Sequence, residues 1–335
     1  MNILISLLTS SPREFCFLTN TIHSIKKQIS ILQTNNTYEF MIIINNSDLE
    51  ENKNAISVYN NILVDFCKTW TDVHVVKTLG NGLPGMGHNS VYKLFESHEY
   101  EKYDYLITLD SDDFLYPFAL SRIEWYICNY SPDVCILPYT DVVSDVPKTP
   151  LVTHKLQSGP DRYLHHNHHH TCTLDLQIKS WKQVTPSPFK TSYMSLRPGG
   201  RIILISRIAA NIHIRYNEEL DVDDIQPFIQ LAELAFNPYS PYKIYMLFDM
   251  DIYLYNRLNS INVGTATQKL KKMKLNEIIS QNKIFRQSMN EKTKYCSREL
   301  LSWDLNKFPI IAPGEPSYLS FNDKCQFIKW VTTPI

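Results

Sequence analysis

Glycine is scarce, with 9 in 335 residues. A phosphate site built from a glycine-rich loop needs several positions without a Cβ, so it is not expected. Cysteine occurs 7 times, an odd number, and no pair has C-x-x-C spacing. That argues against a zinc ribbon and a disulfide framework, and for free thiols in a reducing compartment. The net charge is -1, which gives no overall drive toward nucleic acid or membrane. No apolar run approaches the ~20 residues of a membrane span. Met1 to Leu8 is apolar but lacks the basic start and the length of a signal peptide. No internal repeat is present. What remains is an ordinary globular composition, 44% hydrophobic and 20% charged, and a soluble cytoplasmic protein is expected.

Against this background one stretch stands apart. The run Tyr103-Asp104-Tyr105-Leu106-Ile107-Thr108-Leu109 ends in Asp110-Ser111-Asp112-Asp113. An apolar, β-branched run reads as a buried strand, and this one delivers three acids at its C-terminal tip. Adjacent carboxylates repel, and their pKa values rise unless a positive charge sits among them. Hard cations such as Mg²⁺ and Mn²⁺ prefer carboxylate oxygens. In open α/β sheets the C-terminal strand ends are where ligands bind. The run therefore reads as a metal site for a phosphate-bearing ligand, with Asp112, Asp110 and Asp113 as the candidate metal residues. The competing reading is a solvated Asp/Ser turn.

Apolar runs and helical periods alternate through the first 140 residues. Strands are expected at Asn2–Thr9, Tyr38–Asn45, Val73–Lys77, the acidic run and Asp133–Tyr139. Helices are expected from Pro12 to about Gln28, at Ala55–Trp70, at His88–Ser97 and at Leu115–Tyr130. Such alternation predicts right-handed βαβ units around a mainly parallel sheet. Between Asp141 and Pro198 repeated prolines and the cluster His165, His166, His168, His169 and His170 predict long loops with short strands. An apolar run resumes at Ile202–Ile205, a helix is expected from Ile225 to Phe236, and one or two strands within Tyr242–Tyr255. From Lys269 to Arg298 basic residues dominate, predicting a basic helical appendage within a C-terminal extension, residues 265–335.

Several of these segments resemble the nucleotide-sugar-dependent glycosyltransferases of the GT-A fold, family 2. Ile3 to Thr9 with Ser11-Pro12-Arg13 is similar to that family's opening strand and turn. Thr21 to Gln28 is similar to its T-h-x-S-h-x-x-Q helix, and Tyr38 to Asn46 to its second strand, with Asn45 where Asp is usual. Leu109 to Asp113 followed by Pro117, Ala119 and Leu120 looks like its DxD segment. Gly200 to Arg207, Tyr216-Asn217-Glu218 and Asp223-Asp224 resemble its later succession, and Tyr253 to Ser260 its ending. His88 and Gln230 stand where the family often has Arg, and the QxxRW motif of processive synthases is missing.

The resemblance covers roughly Asn2 to Gly264 and implies a GT-A domain over residues 1–264. Residues 1–140 would form its nucleotide-sugar half and residues 141–264 its acceptor and catalytic half. It implies a metal-dependent, inverting transfer of a sugar from a nucleoside-diphosphate sugar to an acceptor hydroxyl, with Mn²⁺ or Mg²⁺ as cofactor. Asp112 is the expected metal ligand. Asp110 is expected at the ribose or nucleotide, and Asp113 either ligates, supports, or caps the helix expected near Leu115. Asp224 is the expected general base, with Asp223 the alternative, because an inverting base lies across the sugar from the metal. Thr9, Ser10, Arg13, Asn45 or Asp48, Asn89 and Ser111 are the expected nucleotide contacts. One histidine of the His165–His170 cluster is a candidate metal ligand; a solvated acceptor loop is the alternative.

The acceptor stays open between a glycan, a lipid-linked sugar and a hydroxymethylated nucleic-acid base. The basic segment is either a solvated face or a contact for a membrane surface or nucleic acid. The richness in Lys, Asn, Ile and Tyr fits an A+T-rich, virus-like genome. Two rival readings are a haloacid-dehalogenase-like phosphatase and a non-catalytic nucleotide-sugar-binding module. Bulky Phe114 after Asp113 disfavours the first, and the intact acids disfavour the second.

Overall fold

The computed structural model describes residues 1–10, 12–45, 48, 53–54, 57, 72–80, 84–137, 140–143, 152–155, 163–166, 201–218, 226–227, 230–231, 234, 237, 239–247, 252–256, 310–311 and 326–327. All but Ser57 of the expected helix over Ala55–Trp70, most of that over Ile225–Phe236 and the basic segment 269–298 lie outside these residues.

The fold is α/β, with a mainly parallel central sheet. Strand β1 (Asn2–Thr9) is buried along all but its first residue, as a strand covered on both faces must be. It pairs in parallel with β2 (Thr37–Ile44) on one side and with β4 (Tyr105–Asp110) on the other. Beyond β2 lies β3 (Val73–Lys77), also parallel. The chain thus steps outward from β1 to β3 and then returns to the opposite side of β1. The gap between the C-terminal ends of β1 and β4 is a topological switch point, where open α/β sheets bind their ligands.

Helix α1 (Pro12–Ile31) and helix α3 (Ala119–Tyr130) pack on one face of this sheet through Phe15, Ile22, Ile25, Leu120, Ile123 and Tyr126. Helix α2 (Pro84–Glu96) packs on the other through Val91, Tyr92 and Phe95 against Leu4, Leu8 and Met41. It starts four residues before the expected His88, because Pro84 suits a first helical position.

On the far side of β4 the sheet continues through β10 (Arg201–Ser206), which runs antiparallel to both β4 and β6 (Val134–Leu137). Next come β11 (Ile244–Leu247) and β13 (Ile310–Ile311), completing an order β13-β11-β6-β10-β4-β1-β2-β3. A second sheet has the order β5-β12-β7-β9-β8, built from β5 (Phe114–Leu115), β7 (Thr140–Val143), β8 (Val152–Lys155), β9 (Tyr163–His166) and β12 (Tyr253–Asn256).

The helix after the acids starts at Ala119, not Leu115. Phe114 and Leu115 pair with β12 instead. Pro117 disfavours helical backbone at Tyr116, and Phe118, the residue that caps α3, has a left-handed φ of 70°. Asp113 is therefore not a helix cap. In the C-terminal extension, Ile310–Ile311 adds an edge strand to the central sheet, and the Phe327 ring lies 5.7 Å from Tyr116. Among the described residues no helix is long and apolar enough to cross a membrane.

Candidate active site

The acid turn is fixed from below. The Ser111 N–H donates to the Leu8 carbonyl at 2.8 Å, and the Asp113 N–H to the Asp110 carbonyl at 3.1 Å. Helix α1 grips the same segment with two side chains seven residues apart, which share one face of the helix. Thr21 Oγ1 donates to the Ser111 carbonyl at 2.9 Å. Gln28 Nε2 donates to the Leu115 carbonyl at 3.3 Å, and Gln28 Oε1 accepts from the Leu120 N–H at 3.2 Å. Both side chains are buried.

The three acids occupy three environments. Asp113 is fully buried; its Oδ2 accepts from the Tyr253 hydroxyl at 2.5 Å and its Oδ1 from the Asn256 N–H at 2.8 Å. Burial pushes its pKa well above the ordinary carboxylate value, the charges of Asp112 and Asp110 add to this, and Arg201 and Tyr253 oppose it. Asp110 is 22% exposed and its Oδ2 lies 2.5 Å from Arg201 Nη2. The same Nη2 is 3.7 Å from Asp113 Oδ2, and the guanidinium lies 5.3 Å from the centre of the Tyr255 ring. Burial opposes the charge on Arg201, but Asp110, Tyr253 and Asp113 together raise its pKa above the usual guanidinium value. Asp112 is partly exposed, and its charge acts on Asp113 from the solvent side of the turn.

A small cleft opens beside Asp110 and Arg201, lined also by Thr108, His88, Tyr92 and Tyr216. The His88 and Tyr216 rings stack at 4.6 Å, and Tyr92 and Tyr216 at 5.8 Å. Burial pushes the Tyr92 hydroxyl up to about 12, so it remains a neutral donor and acceptor at the cleft wall.

The expected nucleotide contacts divide into two groups. Thr9 and Ser111 are buried at the tips of β1 and β4, and their hydroxyl oxygens have no hydrogen-bond partner among the described residues. Orphaned polar atoms at a switch point suit a polar ligand or ordered water. Ser10, Asn45 and Asn89 already carry structural bonds. Ser10 binds Glu14 through its N–H at 2.5 Å and its hydroxyl at 3.0 Å. Asn45 is fully buried, accepts from Thr78 at 3.2 Å and fills the space that a Cβ on Gly87 would need. Asn89 donates to the Tyr216 carbonyl at 2.9 Å and to Glu218 at 2.8 Å, and accepts from the Tyr216 N–H at 2.7 Å. All three bonds tie α2 to the Tyr216–Glu218 segment, so in this geometry Asn89 braces the site.

Glu96 strengthens the same joint. Its carboxylate takes both terminal nitrogens of Arg215 at 2.6 Å and His213 Nδ1 at 3.1 Å. The segment so clamped leads directly to residues 219–225. Asp221, Asp223 and Asp224 lie outside the described residues, as do the side chain of Arg13 and residues His168 to His170. Asp48 is exposed. His165 and His166 fall on β9, opposite Asp141 and Thr140 of β7 in register.

Sequence reasoning nominated neither Arg201 nor Tyr253 and Asn256 as site residues. A signal existed for Arg201: a lone cation opens the buried run Ile202–Ile205, and a charge in that position requires a partner.

A divalent cation fits this tip in one way. Among the described residues no group of three or more His, Cys, Asp or Glu side chains is arranged to hold a metal. Mg²⁺, however, is commonly held by one or two carboxylates plus substrate phosphates. Asp112, partly exposed at the strand tip, would be the carboxylate of such an arrangement.

No protein-family model and no curated protein sequence matches the chain. Among solved structures it is similar to TarS of S. aureus. The TarS 1-349 structure in complex with UDP-GlcNAc has a TM-score of 0.43 and 15% identity, over 80% of this chain and 60% of that one. The complex with UDP has a TM-score of 0.42 and 15% identity, over 76% and 60%. A longer TarS structure gives 0.41 and 15%, over 76% of this chain and 37% of that one. The chain thus spans between 37% and 60% of the length of these TarS chains.

Proposed function

We propose that the protein is a metal-dependent, inverting glycosyltransferase of GT-A type that takes a nucleoside-diphosphate sugar as donor. One observation carries this reading: the Asp110–Asp113 turn sits at the C-terminal tip of β4, beside β1, at the switch point of the sheet. The order of family-like segments along the chain supports it. So do the orphaned hydroxyls of Thr9 and Ser111, which lie where a nucleotide would be received.

Asp112 would hold the cation on the donor diphosphate, and the cation would screen the charge of the leaving nucleotide. Asp113 supports the turn from within through Tyr253 and Asn256. Asp224, or Asp223 beside it, is the base that takes the acceptor proton. The Asn89 and Glu96 clamps fix the segment that leads to it. The acceptor is a hydroxyl of a glycan, a lipid-linked sugar or a hydroxymethylated base.

A thermal-shift panel of nucleoside-diphosphate sugars, each with Mn²⁺ and with EDTA, tests the reading. One donor class should raise Tm in Mn²⁺ and raise it less in EDTA. If no nucleoside diphosphate or its sugar raises Tm under either condition, the proposal fails.

A further inference from the structure

Among the described residues, Arg201 is the cation seen paired with the acid turn. Its Nη2 sits 2.5 Å from Asp110 and 3.7 Å from Asp113, and its guanidinium packs over Tyr255. Strand β10 holds it there: it starts at Arg201 and lies between β4, which ends in Asp110, and β6. Arg201 thus occupies the place beside two carboxylates where a divalent ion would draw most charge. The guanidinium takes a lone pair of Asp110 Oδ2 and offsets its charge, which makes that oxygen a weaker ligand for a divalent cation.

We propose that Arg201 is a positioning residue that serves as the resident cation of the acid turn. By holding Asp110 and screening Asp113, it keeps the bare turn from binding a divalent ion tightly. Asp112 would then hold a divalent ion only together with the donor diphosphate, whose oxygens would supply the ligands that Asp110 does not. This rests on the glycosyltransferase reading for the diphosphate, whereas Arg201's effect on metal affinity does not need it. Asp110, held against Arg201, presents its remaining carboxylate edge beside the cleft as a fixed acceptor.

The consequence runs opposite to that of removing an ordinary site residue. Arg201→Gln should strengthen metal binding to the nucleotide-free protein, because two crowded carboxylates lose their counter-ion. The gain should be at least about tenfold, a small part of what Coulomb's law gives for a divalent ion and a unit charge a few ångström apart at an effective dielectric near 20.

The experiment titrates Mn²⁺ into the full chain without nucleotide and follows the free-ion signal by electron paramagnetic resonance. It compares the parent protein, Arg201→Gln and Arg201→Gln with Asp112→Asn. The single variant should bind at least about tenfold tighter, and the added Asp112 change should abolish that gain. Where the Gln variant does not fold, Arg201→Met, of similar length and able to cover Tyr255, carries the same expectation.

Equal or weaker Mn²⁺ binding by the folded variant overturns the inference, even if the parent protein binds a donor in Mn²⁺. Tighter Mn²⁺ binding by the variant, in a protein that binds no nucleoside diphosphate, upholds Arg201's role and overturns the donor reading instead.

Discussion

The Thr21 hydroxyl donates to the carbonyl of Ser111, 90 residues further along the chain, at 2.9 Å in a fully buried setting. It also lies 3.2 Å from the Phe17 carbonyl and 3.3 Å from that of Asp113. A hydroxyl has one proton, so the shortest contact takes it and the acid turn is the chief beneficiary. Thr21→Val keeps the shape and leaves the turn's carbonyls without this donor. The expected cost is about 1–3 kcal/mol, read from urea unfolding. An unchanged midpoint would mean that the Thr21 bond adds nothing to the hold that Gln28, Tyr253 and the backbone already have on the turn.

Gly87 offers a test in which two effects oppose each other. Replacing a helical Gly by Ala ordinarily gains about 1 kcal/mol. Here the new Cβ would lie 2.9 Å from Asn45 Nδ2 and 3.3 Å from Leu8 Cδ2. Asn45 is fully buried and bonded to Thr78, so it has little room to yield. Overpacking of this kind costs about 1–3 kcal/mol, so Gly87→Ala should destabilise on balance. A stabilised variant would show that α2 can shift away from β2 at little cost.

Glu39 sets an acid limit on stability. Burial by itself would raise its pKa, but hydrogen bonds from Tyr103, His74 and Lys102 outweigh that and hold it at about 2, below the ordinary 4.5. The folded carboxylate is therefore the harder one to protonate. Its contribution is complete above about 4.5 and is lost as pH falls toward about 2. Because Glu39 is partly open to solvent, the contribution is less than about 1 kcal/mol. Unfolding midpoints of the parent protein and Glu39→Gln should converge as pH falls from about 5, roughly half a unit above that window, to about 2, its lower edge. Parallel pH profiles would contradict this.

Much of the central sheet was legible because its strands are buried on both faces. Runs such as Ile3–Leu8 and Ile202–Ile205 announce themselves by composition, and Val73–Lys77 was bounded to the residue. The start of α3 was not legible: Leu115 reads as the first residue of the helix that follows, and only pairing with Tyr253 and Leu254, far along the chain, makes it and Phe114 a strand. The acids at the tip of β4 could be placed from their position after a buried run. The partnership of Arg201 with Asp110 could not, because it depends on β10 inserting antiparallel beside β4, and local pattern carries no strand order.

Asp224→Asn keeps the shape of the proposed base and removes its proton acceptance. Turnover should fall by about 10²–10⁴, with donor affinity nearly unchanged, since the base acts on the acceptor. The product should carry the anomeric configuration opposite to the donor's, which NMR reads directly. Near-normal turnover would return the role to Asp223, and a retained configuration would reject the inverting mechanism.

The central claim is that Asp112 holds a divalent cation on a donor diphosphate. Isothermal titration of the donor found by the thermal-shift panel, into the parent protein and Asp112→Asn with Mn²⁺ present, tests it most directly. The account predicts clear binding to the parent and loss of the metal-dependent part in the variant, with far-UV circular dichroism unchanged. Equal affinity for the donor in both proteins would contradict it.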